Sequence, residues 1–144
     1  MRGYAIIGLS NPKRDSNVGG VMRAAHVYGA AGIVIAGLRY KNQRTDTTKA
    51  YKHIPVFERD DLMSIVPYGC VPVAIEIHPD ARNLINYVHP ETAYYIFGPE
   101  DGSLGDGIIS QCRDVVYVPT KYCMNLASTV NVVLYDRMAK RGIK

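Results

Sequence analysis

The sequence predicts a single α/β domain built on a mainly parallel sheet flanked by helices. Short runs rich in Ile, Val, Tyr and Phe recur along the chain, and the segments between them have helical period. At 144 residues the chain can bury a sizeable core, and no repeat, low-complexity tract or Pro/Ser-rich linker divides residues 1–144.

The first strand is YAIIGL, residues 4–9. A helix over 17–28 follows, with Asn17 as its N-cap, because an Asn side chain can accept one of the unpaired amide protons of a first turn. Val18, Val21, Met22 and Ala25 keep the i, i+3, i+4, i+7 spacing and form its core stripe, while Gly19, Arg23 and His26 share one flank. Further strands are expected at 32–37, 71–77, 93–98 and 114–119, and further helices at 59–66, 80–87, 105–112 and 125–141. Ligands of such sheets sit beyond the carboxyl ends of the strands. That places the turn after VPVAIEI, the glycine-rich FGPEDGSLGDG and the segment PTKYCMN around one candidate site.

Gly19 and Gly20 inside a helix imply that something approaches its backbone closely, since glycine there costs up to about 1 kcal/mol relative to alanine. Helical side chains lean toward the N-terminus, so the guanidinium of Arg23 is expected over the turn that carries Gly19. A cation near the positive end of a helix calls for an anion. Residue spacing leaves both a structural carboxylate and a substrate phosphate open.

The net charge of +4 is concentrated in residues 39–52, where Arg39, Lys41, Arg44, Lys49 and Lys52 face Asp46 alone, with Tyr40 and Tyr51 interleaved. Such a loop is either solvated or a contact for a nucleic-acid backbone. Cys70, Cys112 and Cys123 form no CxxC pair, which argues against a zinc ribbon or a disulfide framework and fits a reducing, cytoplasmic setting. His26, His53, His78 and His89 lack metal-ligand spacing, so no metal is expected. No stretch approaches a membrane span or a signal peptide's core, so no membrane association is expected.

Three stretches resemble the motifs of the SpoU (TrmH-like) branch of the SPOUT RNA methyltransferases: NVGGVMR (17–23), FGPEDG (97–102), and the pair Val118, Pro119 followed by CMNLA (123–127). The resemblance runs along essentially the whole chain. It implies an α/β sheet whose C-terminal third forms a deep trefoil knot, an exception to the rule against knotted chains. It further implies a homodimer with an active site completed across the subunit interface, S-adenosylmethionine as cofactor, and methyl transfer to a ribose 2′-hydroxyl of RNA, with tRNA favoured over rRNA. Residue by residue it implies catalytic roles for Asn17, Arg23, Glu100 and Asn125, with Glu100 as an anionic neighbour of Arg23. It implies cofactor contacts around Ile75, Gly98, Val118, Cys123 and Met124. An arginine is normally fully protonated, so Arg23 is expected to bind phosphate and polarise the hydroxyl rather than act as the base.

Cys123 and Ala127 stand where the family usually carries serines. This keeps a second reading open, an RNA-binding protein with weak or no turnover, beside a third, methylation of a base or of rRNA. The expectation is that RNA is bound without the N-terminal extension that some relatives use to grip it. Contact is then expected from Arg39, Lys41, Arg44, Lys49 and Lys52 and from Arg137, Lys140, Arg141 and Lys144. Those last four equally suit the C-terminal end of a helix dipole, the preferred reading for at least two of them.

Overall fold

Among the described residues seven strands, β1 (Tyr4–Ser10), β2 (Gly32–Ala36), β3 (Val56–Glu58), β4 (Val71–Ile75), β5 (Arg82–Asn83), β6 (Thr92–Phe97) and β7 (Asp114–Tyr117), form one sheet. Its order is β3-β2-β1-β6-β4-β7-β5, and every pairing is parallel. The computed structural model describes residues 2–37 and 49–142. Of the expected RNA contacts, Arg39, Lys41, Arg44 and Lys144 therefore lie outside the described residues, while Lys49 and Lys52 are described and exposed.

Alternation along the strands divides the core between the two faces of the sheet. Ile33, Ile35, Tyr95 and Phe97 face α1 (Asp15–Val27) and α3 (Leu126–Arg141), packing with Val18, Val21, Val130 and Val133. Val34, Tyr94 and Ile96 face the opposite layer, which holds Leu62, Leu104 and the short α2 (Asp106–Ile109). The predicted stripe of α1 is buried as expected: Val18, Val21, Met22 and Ala25 are at most 3% exposed.

Two of the expected helices are absent. Within 59–66 only a 3-10 turn forms, Leu62–Ile65: the Asp61 carboxylate accepts from the Met63 amide at 2.9 Å, and Val66, forced extended by Pro67, ends the turn. Within 80–87, Arg82 and Asn83 are drawn into the sheet edge beside Val116 and Tyr117, and the Asn83 side chain then caps a 3-10 turn at Leu84–Asn86. The helix expected over 105–112 shrinks to α2, and the strands expected to reach 77 and 119 end at Ile75 and Tyr117.

The expected N-cap of α1 also shifts. The helix begins at Asp15 after Arg14, and Asn17 lies in its first turn. The last helix follows the expectation closely: Asn125 caps it by accepting from the Ser128 amide at 3.2 Å, and Gly142, left-handed at φ +70°, closes it.

Three basic residues near that C-terminus bond to other parts of the fold, Arg137 buried, Arg141 half-buried and Lys140 exposed. Arg137 is buried and donates to the Pro90 and Glu91 carbonyls at 2.6 and 2.7 Å and to the Tyr95 hydroxyl at 3.2 Å. Lys140 donates to the Leu84 and Tyr87 carbonyls and pairs with Asp136 at 2.8 Å, and Arg141 donates to the Arg2 carbonyl. These three tie α3 to the segments before β6 and β1, and Lys140 and Arg141 lie in its last turn, as the dipole reading expects. Between them His89 is fully satisfied as a neutral ring: Nδ1 accepts from the Tyr95 hydroxyl at 2.6 Å, and Nε2–H donates to Asp136 at 2.7 Å.

Candidate active site

The register brings the carboxyl ends of β1, β6, β4 and β7 level. Leu9 and Ile75 both pair with Phe97, and Ile75 also pairs with Val116. The three segments that leave β4, β6 and β7 here wall a cleft of about 790 Å³. All five residues expected around the cofactor, Ile75, Gly98, Val118, Cys123 and Met124, line it, and so do Asn17, Glu100 and Asn125.

The last three form a chain of hydrogen bonds. Asn125 Nδ2 donates to Asn17 Oδ1 at 2.7 Å, and Asn17 Nδ2 donates to Glu100 Oε2 at 3.0 Å. Glu100 also accepts from the Arg14 amide at 2.9 Å and from the Lys13 amide at 3.2 Å. Arg14 precedes α1 without a side-chain cap, and the Glu100 carboxylate binds the Lys13 and Arg14 amides just ahead of the helix, near its positive end. Partial burial alone would raise the Glu100 pKa, but the bonds from Asn17 and the two amides outweigh it and hold the carboxyl below its usual 4.5. Glu100 is therefore ionised and fully engaged at neutral pH.

Arg23 is not part of this cluster. Its side chain is exposed on α1 and does not line the cleft, and the carboxylate expected beside it is held by Asn17 and the amides instead. Gly20 is explained on the packing side: a Cβ there would come within 2.8 Å of the Ala127 Cβ, so α1 and α3 are in close approach. Position 127 is thus a helix contact, and its alanine serves packing.

Glu76, the first residue after β4, was not singled out by the sequence. Its Oε2 accepts from the Leu104 amide at 3.0 Å and its Oε1 from the Ile77 amide at 3.1 Å, which folds residues 98–104 over the cleft. Gly98 makes room for this, since a Cβ there would stand 3.3 Å from Glu76 Oε2 and 3.2 Å from the Leu104 amide nitrogen. The signal was present as an acid directly at the end of an apolar strand, VPVAIEI.

Among the described residues, no group of three or more His, Cys, Asp or Glu side chains could hold a metal ion, and no helix is long and apolar enough to cross a membrane. The cleft offers apolar walls (Ile75, Val118, Leu126), main chain at the ends of parallel strands, and a few charges at its mouth. Its volume lies within the usual range for small-molecule sites, roughly 300–1,000 Å³.

Comparison with known proteins agrees with this geometry. The sequence model of the SpoU rRNA Methylase family matches residues 4–135. An uncharacterized tRNA/rRNA methyltransferase of Archaeoglobus fulgidus is 25% identical over 144 residues, an alignment spanning 92% of this chain and 63% of the relative. The SpoU methyltransferase AviRb of Streptomyces viridochromogenes, solved with AdoMet, superposes with a TM-score of 0.83 at 18% identity, over 100% of this chain and 63% of that one. A structure concerned with the 2-OH methylation of C/U34 on tRNA gives a TM-score of 0.83 at 19% identity, covering 98% of this chain and 99% of its own. The chain thus spans less than two thirds of the first two of these proteins.

Proposed function

Since the chain belongs to the SpoU rRNA methylase family, we propose that it transfers a methyl group from S-adenosylmethionine to a ribose 2′-hydroxyl of RNA, with tRNA as substrate. The observation that carries this reading is the Glu100–Asn17–Asn125 chain, which joins the three motif segments at the mouth of one cleft. The choice of tRNA draws on the similar structure that concerns 2-OH methylation on tRNA, which this chain matches over nearly its full extent.

The cleft suits the cofactor's chemistry. Adenine and a methionine chain need backbone hydrogen bonds and apolar contact more than charge, and Ile75, Gly98, Val118, Cys123 and Met124 supply both. When bound, S-adenosylmethionine supplies an electrophilic methyl on a sulfonium. In-line displacement then asks two things of the protein, alignment of the hydroxyl and removal of its proton. Asn17, clamped between Glu100 and Asn125, has both ends of its amide fixed and keeps the α1 terminus rigid against the cleft.

Arg23 enters from a second subunit. An exposed arginine on α1 that stays out of its own cleft fits a homodimer in which each protomer lends Arg23 to its partner's site, binding the RNA phosphate and polarising the 2′-hydroxyl. The reading includes the family's C-terminal knot. It is supported by the register, since Val116 pairs with Ile75 on one edge and Arg82 on the other, so residues 76–81 bridge across β7. Ala127 as a packing residue removes one ground for an inactive protein.

The test pairs calorimetric titration of S-adenosylmethionine with methyl transfer to tRNA, for wild type and Arg23→Ala. The reading expects binding by both proteins and transfer by the wild type alone. Equal loss of binding and transfer in Arg23→Ala would make Arg23 structural, and absence of cofactor binding by the wild type would end the proposal.

A further inference from the structure

The segment 118–125 carries a residue that neither the motifs nor the cofactor account for. Tyr122 lines the cleft yet is 76% exposed, while Val118 and Met124 on the same segment are half-buried. The backbone beneath it is tied down: the Thr120 hydroxyl donates to the Tyr122 carbonyl at 2.8 Å. Beside it, Lys121 Nζ stands 5.5 Å from the ring centroid. Lys13 and Arg14, also exposed, line the same cleft.

We propose that Tyr122 is the platform on which a nucleobase of the RNA substrate stacks at the cleft mouth, with Lys121 taking the adjoining phosphate. An exposed aromatic ring flanked by a cation matches a ligand that is both planar and anionic, which describes a nucleotide in a single-stranded or splayed segment. Stacking is tolerant of base identity, so Tyr122 positions the nucleotide rather than choosing it. The inference rests on the reading of the chain as an RNA methyltransferase, and it gives the base a place while Arg23 handles the phosphate and hydroxyl.

The probe is a short single-stranded RNA carrying 2-aminopurine, whose fluorescence is quenched on stacking, titrated into full-length wild type, Tyr122→Ala and Tyr122→Phe. The expected result is quenching by wild type and Tyr122→Phe, loss of quenching in Tyr122→Ala, and RNA affinity about tenfold weaker in Tyr122→Ala. In assays with tRNA the same variant should raise KM with kcat and cofactor affinity little changed. Quenching that depends on Tyr122 supports the platform even if no methyl transfer is detected, an outcome that would count against the methyltransferase reading alone. Absence of quenching by the wild type, or equal quenching and KM in Tyr122→Ala, overturns the platform while leaving any measured methyl transfer in place. A Tyr122→Ala protein that dissociates into monomers with RNA binding unchanged would assign the ring to a subunit interface and overturn it as well.

Discussion

Asn125 Nδ2 donates to Asn17 Oδ1 at 2.7 Å across 108 positions of sequence, which fastens the start of α3 to the first turn of α1. Because Asn17 also donates to Glu100, its side chain joins two groups that have no direct bond to each other. Replacing Asn17 with Asp keeps the shape but sets a second carboxylate against Glu100. We expect destabilisation of about 1–3 kcal/mol at neutral pH in chemical denaturation, together with weaker S-adenosylmethionine binding. Unchanged stability would mean that the bond chain is incidental.

Glu100 gives a pH dependence of known sign. Its carboxyl is more acidic in the folded protein than its ordinary 4.5, so its contribution is complete above about pH 4.5 and is lost as pH falls through the lowered value. Glu100→Gln, which cannot meet the Lys13 and Arg14 amides with a full charge, should cost about 1 kcal/mol near neutrality and flatten the acid limb of a stability-against-pH curve. A parallel curve for the variant would show that another group sets that limb.

The contact between Gly20 and Ala127 predicts a steric exchange. Gly20→Ala places a methyl 2.8 Å from the Ala127 Cβ and should destabilise the fold by about 1–3 kcal/mol despite the better helix propensity of alanine. Adding Ala127→Gly should recover part of that loss, which a double-mutant cycle measures.

His89 acts as a second pH-dependent group, on the opposite side of the molecule from the cleft's bond chain. Burial pushes its pKa below the usual 6.5, against the pull of Asp136, and both ring nitrogens are already matched in the neutral form. A lowered folded-state pKa means that stability is full above 6.5 and declines as pH falls toward the lowered value. Thermal unfolding between about pH 5 and 8 should show this decline, and His89→Gln should reduce its slope.

The long elements were legible in the sequence because they depend on local pattern, whereas the residues expected around the cofactor came from the motif resemblance alone. The buried stripe of α1, the extent of α3 and the strands beginning at Tyr4 and Gly32 follow from residue period. What escaped depends on distant partners. Arg82 and Asn83 become strand only because β7 offers them an edge, and Asn17 falls inside the first turn of α1, where its side chain is held by Glu100 and Asn125, 83 and 108 positions away. The pairing of Arg23 with Glu100 was expected from the motif resemblance, whereas Arg23 is exposed on α1 outside the cleft that Glu100 lines. Arg137 and Lys140 read as surface cations, and only the fold shows the carbonyls they serve.

The most direct test of the central claim is nucleoside mass spectrometry of tRNA incubated with the protein and S-adenosylmethionine. The account predicts one new 2′-O-methylated nucleoside, absent when Arg23→Ala replaces the wild type. A methyl group found on a base, or an unchanged ribose-methyl profile with the cofactor bound, would contradict it.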